Sequence, residues 1–476
     1  LLQYFRINDP FRLAWILLIL FIAQIPIWTG PEFVTQFQLK GFIIGEALNG
    51  GNTMYKDIYD STGPLSAGFY WMYHNIFNNS LWADRILGTL IVFIQAAIVN
   101  AILNNLKVYN ESSYISALVY SFLCLSFFTF SLLSPWMLSM PFVLMSIYFT
   151  IIHMNSKTKD DIYLIMAGLL MGTASLFYWT NSLYIIGIEV ILVVSSATIF
   201  RRYLLFLFAS ILPIAIAYCY FFIFDASSEF FYQNSLSFFN IGSHFSVSKY
   251  GILIPVAIPL IMLFASFFKM VERASFNFNQ AKVNTSMVLL LIIGLFATAF
   301  SDGKEPSKFI FLLFPMTYFI CYLLLLIQRR FIAEIFFGVL SVSALLTNYN
   351  SYYQKGFMSE ILNLNKLTAK HEPDNAPFEN KKILVIGEDL SHYAKAKLST
   401  PYLNWEISKP LFEELDYYDN QTNLYVNFKH HAPDLIIDEK GVFKNIQNTI
   451  PLIKKSYKLI EEGDISIYSK SASLKK

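Results

Sequence analysis

Charge is scarce in this sequence. Asp, Glu, Lys and Arg make up 14% of its 476 residues, against about a quarter in a typical soluble domain. So little charge cannot clothe the two or three water-facing domains that this length would otherwise suggest, which excludes a wholly soluble protein. The formal net charge is only +2 and no dense basic face is present, so nucleic acid is not an expected partner. Cysteine is equally sparse. Cys124, Cys219 and Cys321 lie far apart in apolar runs, which excludes a disulfide framework or a cysteine-based metal site. Ionisable residues are nearly absent from the long apolar stretches, and no internal repeat is visible. Both absences argue against a transporter, which places acids or bases at mid-membrane and commonly builds alternating access from repeats. There is no full G-x-G-x-x-G, so the lone strand–glycine turn at Gly387 is no nucleotide signature. His430 and His431 have no acids at metal-ligand spacing, and no metal site is read from the sequence.

Apolar residues, by contrast, reach 55%, with 46 Phe and 29 Tyr, and the mean hydropathy is +0.48. Lipid is the natural solvent for most of the chain. The charge that exists is unevenly placed, with half of it falling after Asn350. The expected fold is therefore a polytopic α-helical membrane protein with a small C-terminal α/β soluble domain. Residues 1–348 form the membrane body, with outside loops at 29–81 and 225–250, and residues 349–476 form the soluble domain. About eleven spans are expected, near 11–28, 82–103, 114–130, 133–154, 162–179, 183–199, 203–224, 252–268, 287–300, 309–327 and 331–347. Gln95, Asn100 and Asn181 within them are expected to hydrogen-bond between helices.

The distribution of Lys and Arg sets an orientation. With the N-terminus inside, the inner segments hold Arg6, Arg12, Lys107, Lys157, Lys159, Arg201, Arg202, Lys269, Arg273, Lys282, Arg329 and Arg330. The longer outer segments of the body hold only Lys40, Lys56, Arg85, Lys249, Lys304 and Lys308. An odd number of spans then places the charged tail outside, in a bacterial inner membrane, on the face of the first loop.

That first loop contains a helix-compatible stretch at 33–48 and the turn Asn49-Gly50-Gly51-Asn52. Next come Tyr55-Lys56-Asp57-Ile58-Tyr59-Asp60, the break Ser61-Thr62-Gly63-Pro64 and a second aromatic helix at 65–77. Both helices, and the Phe- and Tyr-rich loop 225–250, have the aromatic composition of the membrane interface. In the tail, Ile383 to Gly387 reads as a buried strand, 389–397 as a helix, Asp434 to Asp438 as a strand, 450–459 as a helix and 465–468 as a last strand.

The stretch from Glu46 to Leu65 resembles the first periplasmic loop of the GT-C glycosyltransferases, in particular the branch with the protein O-mannosyltransferases and the lipid A aminoarabinose transferase. The carriers are the double glycine, the block Tyr55-Lys56-Asp57 with Asp60, and Pro64 opening a second helix. Asp84-Arg85-Ile86-Leu87, and Lys308-Phe309 through Pro315, are similar to later boundaries in that family. The resemblance implies transfer of a sugar from a polyprenyl-phosphate donor at the outer face. A carboxylate would be general base and basic residues would hold the phosphate leaving group. It nominates Asp57, Asp60, Glu32 and Glu46 for the carboxylate and Lys56, Arg85, Lys304 and Lys308 for the phosphate. The expected partners are membrane lipid, the lipid-linked sugar donor, and proteins docking on the tail or outside loops.

The sequence departs from the family at two points. Gln36 and Phe37 stand where an acidic pair is expected, and Thr62-Gly63 replaces a lysine before the proline. Two readings of the residues follow. Asp57 and Asp60 act on substrate, or they cap and brace the loop. Arg85 holds a lipid phosphate, or it reaches to headgroups or pairs with Asp84 or Asp60. Lys304 and Lys308 bind phosphate, or belong to a solvated loop. The alternative to an active enzyme is a catalytically inactive GT-C-like scaffold subunit of a membrane complex.

Overall fold

The computed structural model describes residues 1–30, 34–156, 160–195, 199–239, 249–273, 276–300, 309–353, 368–369, 380–461, 463 and 465–471. The chain forms two compact units. The first comprises Leu1–Glu32, Ser80–Ala217 and Ser237–Leu367; the second comprises Phe33–Asn79, Tyr218–Leu236 and Thr368–Lys476.

The first unit is a bundle of apolar helices, as composition requires. Among the described residues, seven helices are long and apolar enough to cross a bilayer: Phe11–Trp28, Leu81–Asn105, Pro135–Asn155, Phe200–Ile223, Ile254–Glu272, Phe278–Ala299 and Arg330–Tyr353. Four shorter apolar helices accompany them, Ile115–Leu125, Asp161–Phe177, Trp179–Ser195 and Ile310–Leu326. Ile115–Leu125 is buried at every position and Ile310–Leu326 at nearly every one. A helix apolar all round belongs in the middle of a bundle. The outer helices instead expose large apolar side chains such as Phe208, Phe264 and Val271. In water such a surface would be untenable; in hydrocarbon it is the stable arrangement. The chain is a multi-pass membrane protein with a small strand-containing C-terminal region.

Lipid gives no hydrophobic incentive for helices to associate, so close packing and buried polar pairs hold them together. The Gln95 carboxamide donates to the Met137 carbonyl at 2.8 Å and accepts from the Tyr120 hydroxyl at 2.8 Å. Gln24 reaches Ser131 at 2.6 Å, and Asn181 donates to the Ala174 carbonyl at 3.0 Å. Gly168 and Gly172, one helical turn apart, lie against the Phe200–Ile223 helix. A β-carbon at 168 would sit 2.6 Å from the Phe206 carbonyl oxygen, and one at 172 would collide with that of Ser210. One ionisable group stands in the middle of an apolar helix against the sequence expectation. Glu189, in Ser182–Ser195, is half-buried, and one of its carboxylate oxygens is buried without a hydrogen-bond partner among the described residues.

In the second unit, β1 (Val34–Thr35) pairs antiparallel with β2 (Thr368–Ala369). Thr35 then starts the helix Gln36–Asn49 with a capping box. Its hydroxyl accepts from the Gln38 amide at 3.3 Å, and the Gln38 carboxamide oxygen accepts from the Thr35 amide at 3.0 Å. The helix begins three residues later than the apolar pattern suggested, because this cap fixes its first turn. It packs on Pro64–Phe77, whose Tyr70 ring leaves no room for a side chain at Gly41. Phe42 and Tyr73 stack at 5.9 Å.

The C-terminal part adds β3 (Lys382–Ile386), β4 (Lys397–Leu398), β5 (Leu435–Asp438), β6 (Tyr457–Glu461) and β7 (Ser466–Lys470). Their order is β4-β3-β5-β7-β6. β3 is parallel to both neighbours, while β7 runs antiparallel to β5 and β6. Leu384, Ile386 and Ile436 enter a core with Phe412, Phe428 and Phe443. The helix expected at 389–397 is a 3-10 turn, Leu390–Ala394, followed by β4. Asp389 caps that turn and pairing to β3 claims the rest. The helix expected at 450–459 stops at Ser456, beyond which the chain pairs with β7. Three helices of this part escaped the sequence reading, Trp405–Glu413, Tyr418–His430 and Phe443–Thr449.

The glycine packing makes a prediction. Gly172→Leu forces the two helices apart and lowers the melting temperature in detergent by several degrees, as overpacking costs about 1–3 kcal/mol. Gly338→Leu, where a β-carbon meets nothing within 4 Å, leaves it unchanged. Fluorescence-detected thermal melting of the two variants checks both.

Candidate functional site

The first-loop residues singled out by sequence gather in the second unit around one buried carboxylate. The loop is shaped by a tight turn. Tyr55 takes a positive φ of 70°, its amide donates to the Ile58 carbonyl at 2.9 Å, and the Asp57 amide donates to the Thr53 carbonyl at 2.9 Å. The Asp57 carboxylate closes the same turn by accepting from the Thr53 amide at 2.8 Å. Tyr55 is fully buried, edge-on to Phe221 and Phe230. Its hydroxyl donates to the Thr62 carbonyl at 2.8 Å, and burial holds its pKa well above the usual tyrosine range.

Asp60 is fully buried. One oxygen accepts from the Thr62 amide at 2.8 Å and from the Thr62 hydroxyl. The other accepts from Asn404 at 3.2 Å and pairs with the Lys40 ammonium at 3.1 Å. The Asp60 amide donates to Gln233 at 3.0 Å, and Gln233 donates to the Tyr55 carbonyl at 2.8 Å. Flanking Tyr59 exchanges backbone bonds with Pro401 and Asn404. Asp60 thus ties the loop to the Gln36–Asn49 helix, to Ser227–Phe239 through Gln233, and to the C-terminal part through Asn404.

The other nominees are dispersed. Lys56 is exposed; it donates to the Phe224 carbonyl at 3.1 Å and stands 4.0 Å from Asp225. Glu46 is half-buried on Gln36–Asn49, and its carboxylate has no hydrogen bond or ion pair among the described residues. Arg85, in the first unit, is buried near the start of Leu81–Asn105. One terminal nitrogen donates to the Trp28 carbonyl at 3.1 Å, while Nη2 is buried with no hydrogen-bond partner among the described residues. Glu32, Lys304 and Lys308 lie outside the described residues.

A cavity of about 440 Å³ opens beside the loop, lined by Tyr59, Tyr232, Gln233, Glu229, Glu414 and Asn423, among others. Gln233 both lines it and holds the Asp60 amide. Sequence reasoning had no access to this cavity, because its walls come from three separated segments. Gln36, noted only as a missing acid, has a structural task. Its amide nitrogen donates to Asp389 at 2.7 Å, and its oxygen accepts from the Leu390 amide at 2.9 Å. A glutamate there could not donate and would face a second carboxylate.

The bracing role is testable. Asp60→Asn removes the ion pair and turns one acceptor oxygen into a donor facing donors. It should destabilise the folded chain by about 2–3 kcal/mol, read as a lower melting temperature and faster proteolysis within the loop. Unchanged stability would contradict the role.

Comparison with known proteins places the fold. The crystal structure of ArnT from Cupriavidus metallidurans bound to undecaprenyl phosphate is similar, with a TM-score of 0.53 at 12% sequence identity, covering 97% of each chain. The Archaeoglobus fulgidus oligosaccharyltransferase in the apo form gives a TM-score of 0.49 at 11% identity, over 98% of this chain and 75% of that one. No curated protein matches by sequence. The likeness to ArnT shows a GT-C-like fold, as the first-loop resemblance implied. Residues 64–359, more than half of the chain, match the family of unknown function DUF6427, and the chain belongs to that family.

Proposed function

We propose that this protein is a GT-C-type glycosyltransferase drawing on a polyprenyl-phosphate-linked sugar at the extracytoplasmic face of a bacterial inner membrane. The observation that carries the reading is Arg85. A buried guanidinium with one nitrogen unsatisfied is a receptor for an anion, and an arginine near the end of a span is placed to meet a lipid phosphate. The crystal structure of ArnT, similar over 97% of each chain, holds undecaprenyl phosphate. In the reaction, sugar moves to an acceptor hydroxyl and the lipid phosphate leaves. Arg85 would stabilise the charge on that leaving group. Lys56, Lys304 and Lys308 are the further cations assigned to it.

The acceptor proton needs a carboxylate. Both Asp60 oxygens are occupied, so Asp60 positions the loop in this reading and Glu46 is the favoured base, with Asp57 and Glu32 as the other nominees. The cavity beside Tyr59 suits a polar acceptor, since its rings and carboxylate and amide groups offer both stacking faces and hydrogen bonds.

The orientation belongs to the same proposal: eleven spans, the N-terminus inside and the domain 349–476 outside. Seven long and four shorter apolar helices support the count, and the Lys and Arg bias supports the direction. A second reading, a catalytically inactive scaffold subunit, is favoured by Gln36, which is engaged with Asp389 where the GT-C branch that the first loop resembles has an acid.

Two experiments test these statements. Arg85→Ala should weaken binding of undecaprenyl phosphate to the purified chain by about 10- to 100-fold, the worth of a charge-assisted hydrogen bond. Equal binding would reject the phosphate site. Intact binding together with no consumption of any lipid-linked sugar, in the wild type and in Glu46→Gln alike, would select the scaffold. For orientation, cysteines placed at Lys440 and Arg330 in a background without Cys124, Cys219 and Cys321 are treated with a membrane-impermeant maleimide. Position 440 should react in intact spheroplasts and position 330 only after permeabilisation; the reverse would invert the topology.

A further inference from the structure

The carboxyl ends of β3 and β5 carry a group of side chains that the proposed glycosyl transfer does not use. These two parallel strands are neighbours, but the chain leaves them in opposite directions. From β3 it passes to β4 on one side; from β5 it passes towards β6 and β7 on the other. In open α/β sheets, the crevice outside the carboxyl ends at such a divergence is where ligands bind. Asp389 and His392 follow β3, and Glu439 follows β5 directly. One donor atom from each lies within 4.8 Å of the others, and His392 Nε2 is 3.5 Å from Glu439 Oε1. We propose that Asp389, His392 and Glu439 form a binding site for a divalent transition-metal ion of the zinc type.

Three features indicate a built site. The first is Gly387. A β-carbon there would collide with the Glu439 carboxylate and come within 2.9 Å of its Cβ. Only glycine lets Glu439 fold over the end of β3 towards His392. The second is an outer shell of the kind that orients metal ligands. The Ser391 amide, at 2.9 Å, and Gln36 both donate to Asp389 Oδ1, and the Glu388 amide donates to Glu439 Oε2 at 3.2 Å.

The third feature is that no permanently cationic side chain neutralises these carboxylates. Lys440, adjacent to Glu439, turns to Glu388 at 2.9 Å. Among the described residues no Lys or Arg pairs with Asp389 or Glu439. Two carboxylates and one imidazole, only partly exposed, match the ligand set of a borderline divalent ion. Three protein ligands leave a fourth position for water or an exogenous ligand. Gln36 joins Asp389 to the helix that carries Lys40 and Glu46, so the ion would also stiffen the attachment of that helix within the second unit.

The test uses the full-length chain in detergent, stripped with a chelator and then given Zn²⁺, Mn²⁺ or Ca²⁺ alone. Elemental analysis after desalting should find about one zinc per chain, with a higher melting temperature and little retention of calcium. His392→Ala and Glu439→Gln should lose both the zinc and the thermal shift, while circular dichroism confirms their folding. Gln36→Met, which touches no metal ligand atom except through Asp389, should weaken zinc binding by about 10-fold or more. The double variant His430→Ala/His431→Ala should keep it. Absence of zinc from the wild type, or equal zinc in both ligand variants, would overturn the proposal.

Discussion

A carboxylate sealed from water must find its hydrogen bonds within the protein, and each one fixes the group that supplies it. Asp60 is in this position. Its four donors come from the following turn, the Gln36–Asn49 helix and the segment before Trp405–Glu413. The arrangement is costly to form and more costly to break, since removing any partner leaves an unsatisfied buried charge or dipole. That asymmetry gives the second unit its definition. Three segments far apart in sequence are held in one register by an interaction that tolerates little displacement, and the neighbouring cavity takes its shape from the same register.

The two units illustrate different solvents at work. In the helical unit apolar surface faces outward, and specificity comes from glycines, carboxamides and hydroxyls that fit only one neighbour. In the second unit ordinary α/β logic returns: a parallel strand pair buried on both faces, helices covering it, and polar side chains collected at the loop ends.

The helical body was legible in the sequence because a bilayer imposes a length and a composition on each crossing, and both are local properties. Strands β3 and β5 were legible for a similar reason, as short apolar runs with clear punctuation. Trp405–Glu413 and Tyr418–His430 were not: the first is interrupted by Pro410, and the second carries few apolar residues to mark a face. The segment 389–397 favoured helix locally, but Asp389 caps a 3-10 turn there and the edge of β3 captures Lys397–Leu398 as β4, a tertiary preference invisible to a window of residues. Of the site, the loop and its residue types could be read. That Asp60 is buried and four-coordinated could not, because Lys40 and Asn404 approach from 20 residues before and 344 after. Glu189 shows the opposite failure, a single acid concealed by the hydropathy of its neighbours.

The bond between Gln36 and Asp389 constrains how this sequence can vary. A carboxamide is the residue at position 36 that can donate to an aspartate and accept from the next backbone amide at once. Position 36 therefore cannot become acidic while position 389 remains so, and 353 residues of intervening chain do not weaken the coupling. Across related chains the two positions should covary, with an acid at 36 accompanied by a neutral or basic residue at 389. The clasp thus couples the two segments: an acid at position 36 would be tolerated only with the loss of the aspartate at the edge of the C-terminal sheet.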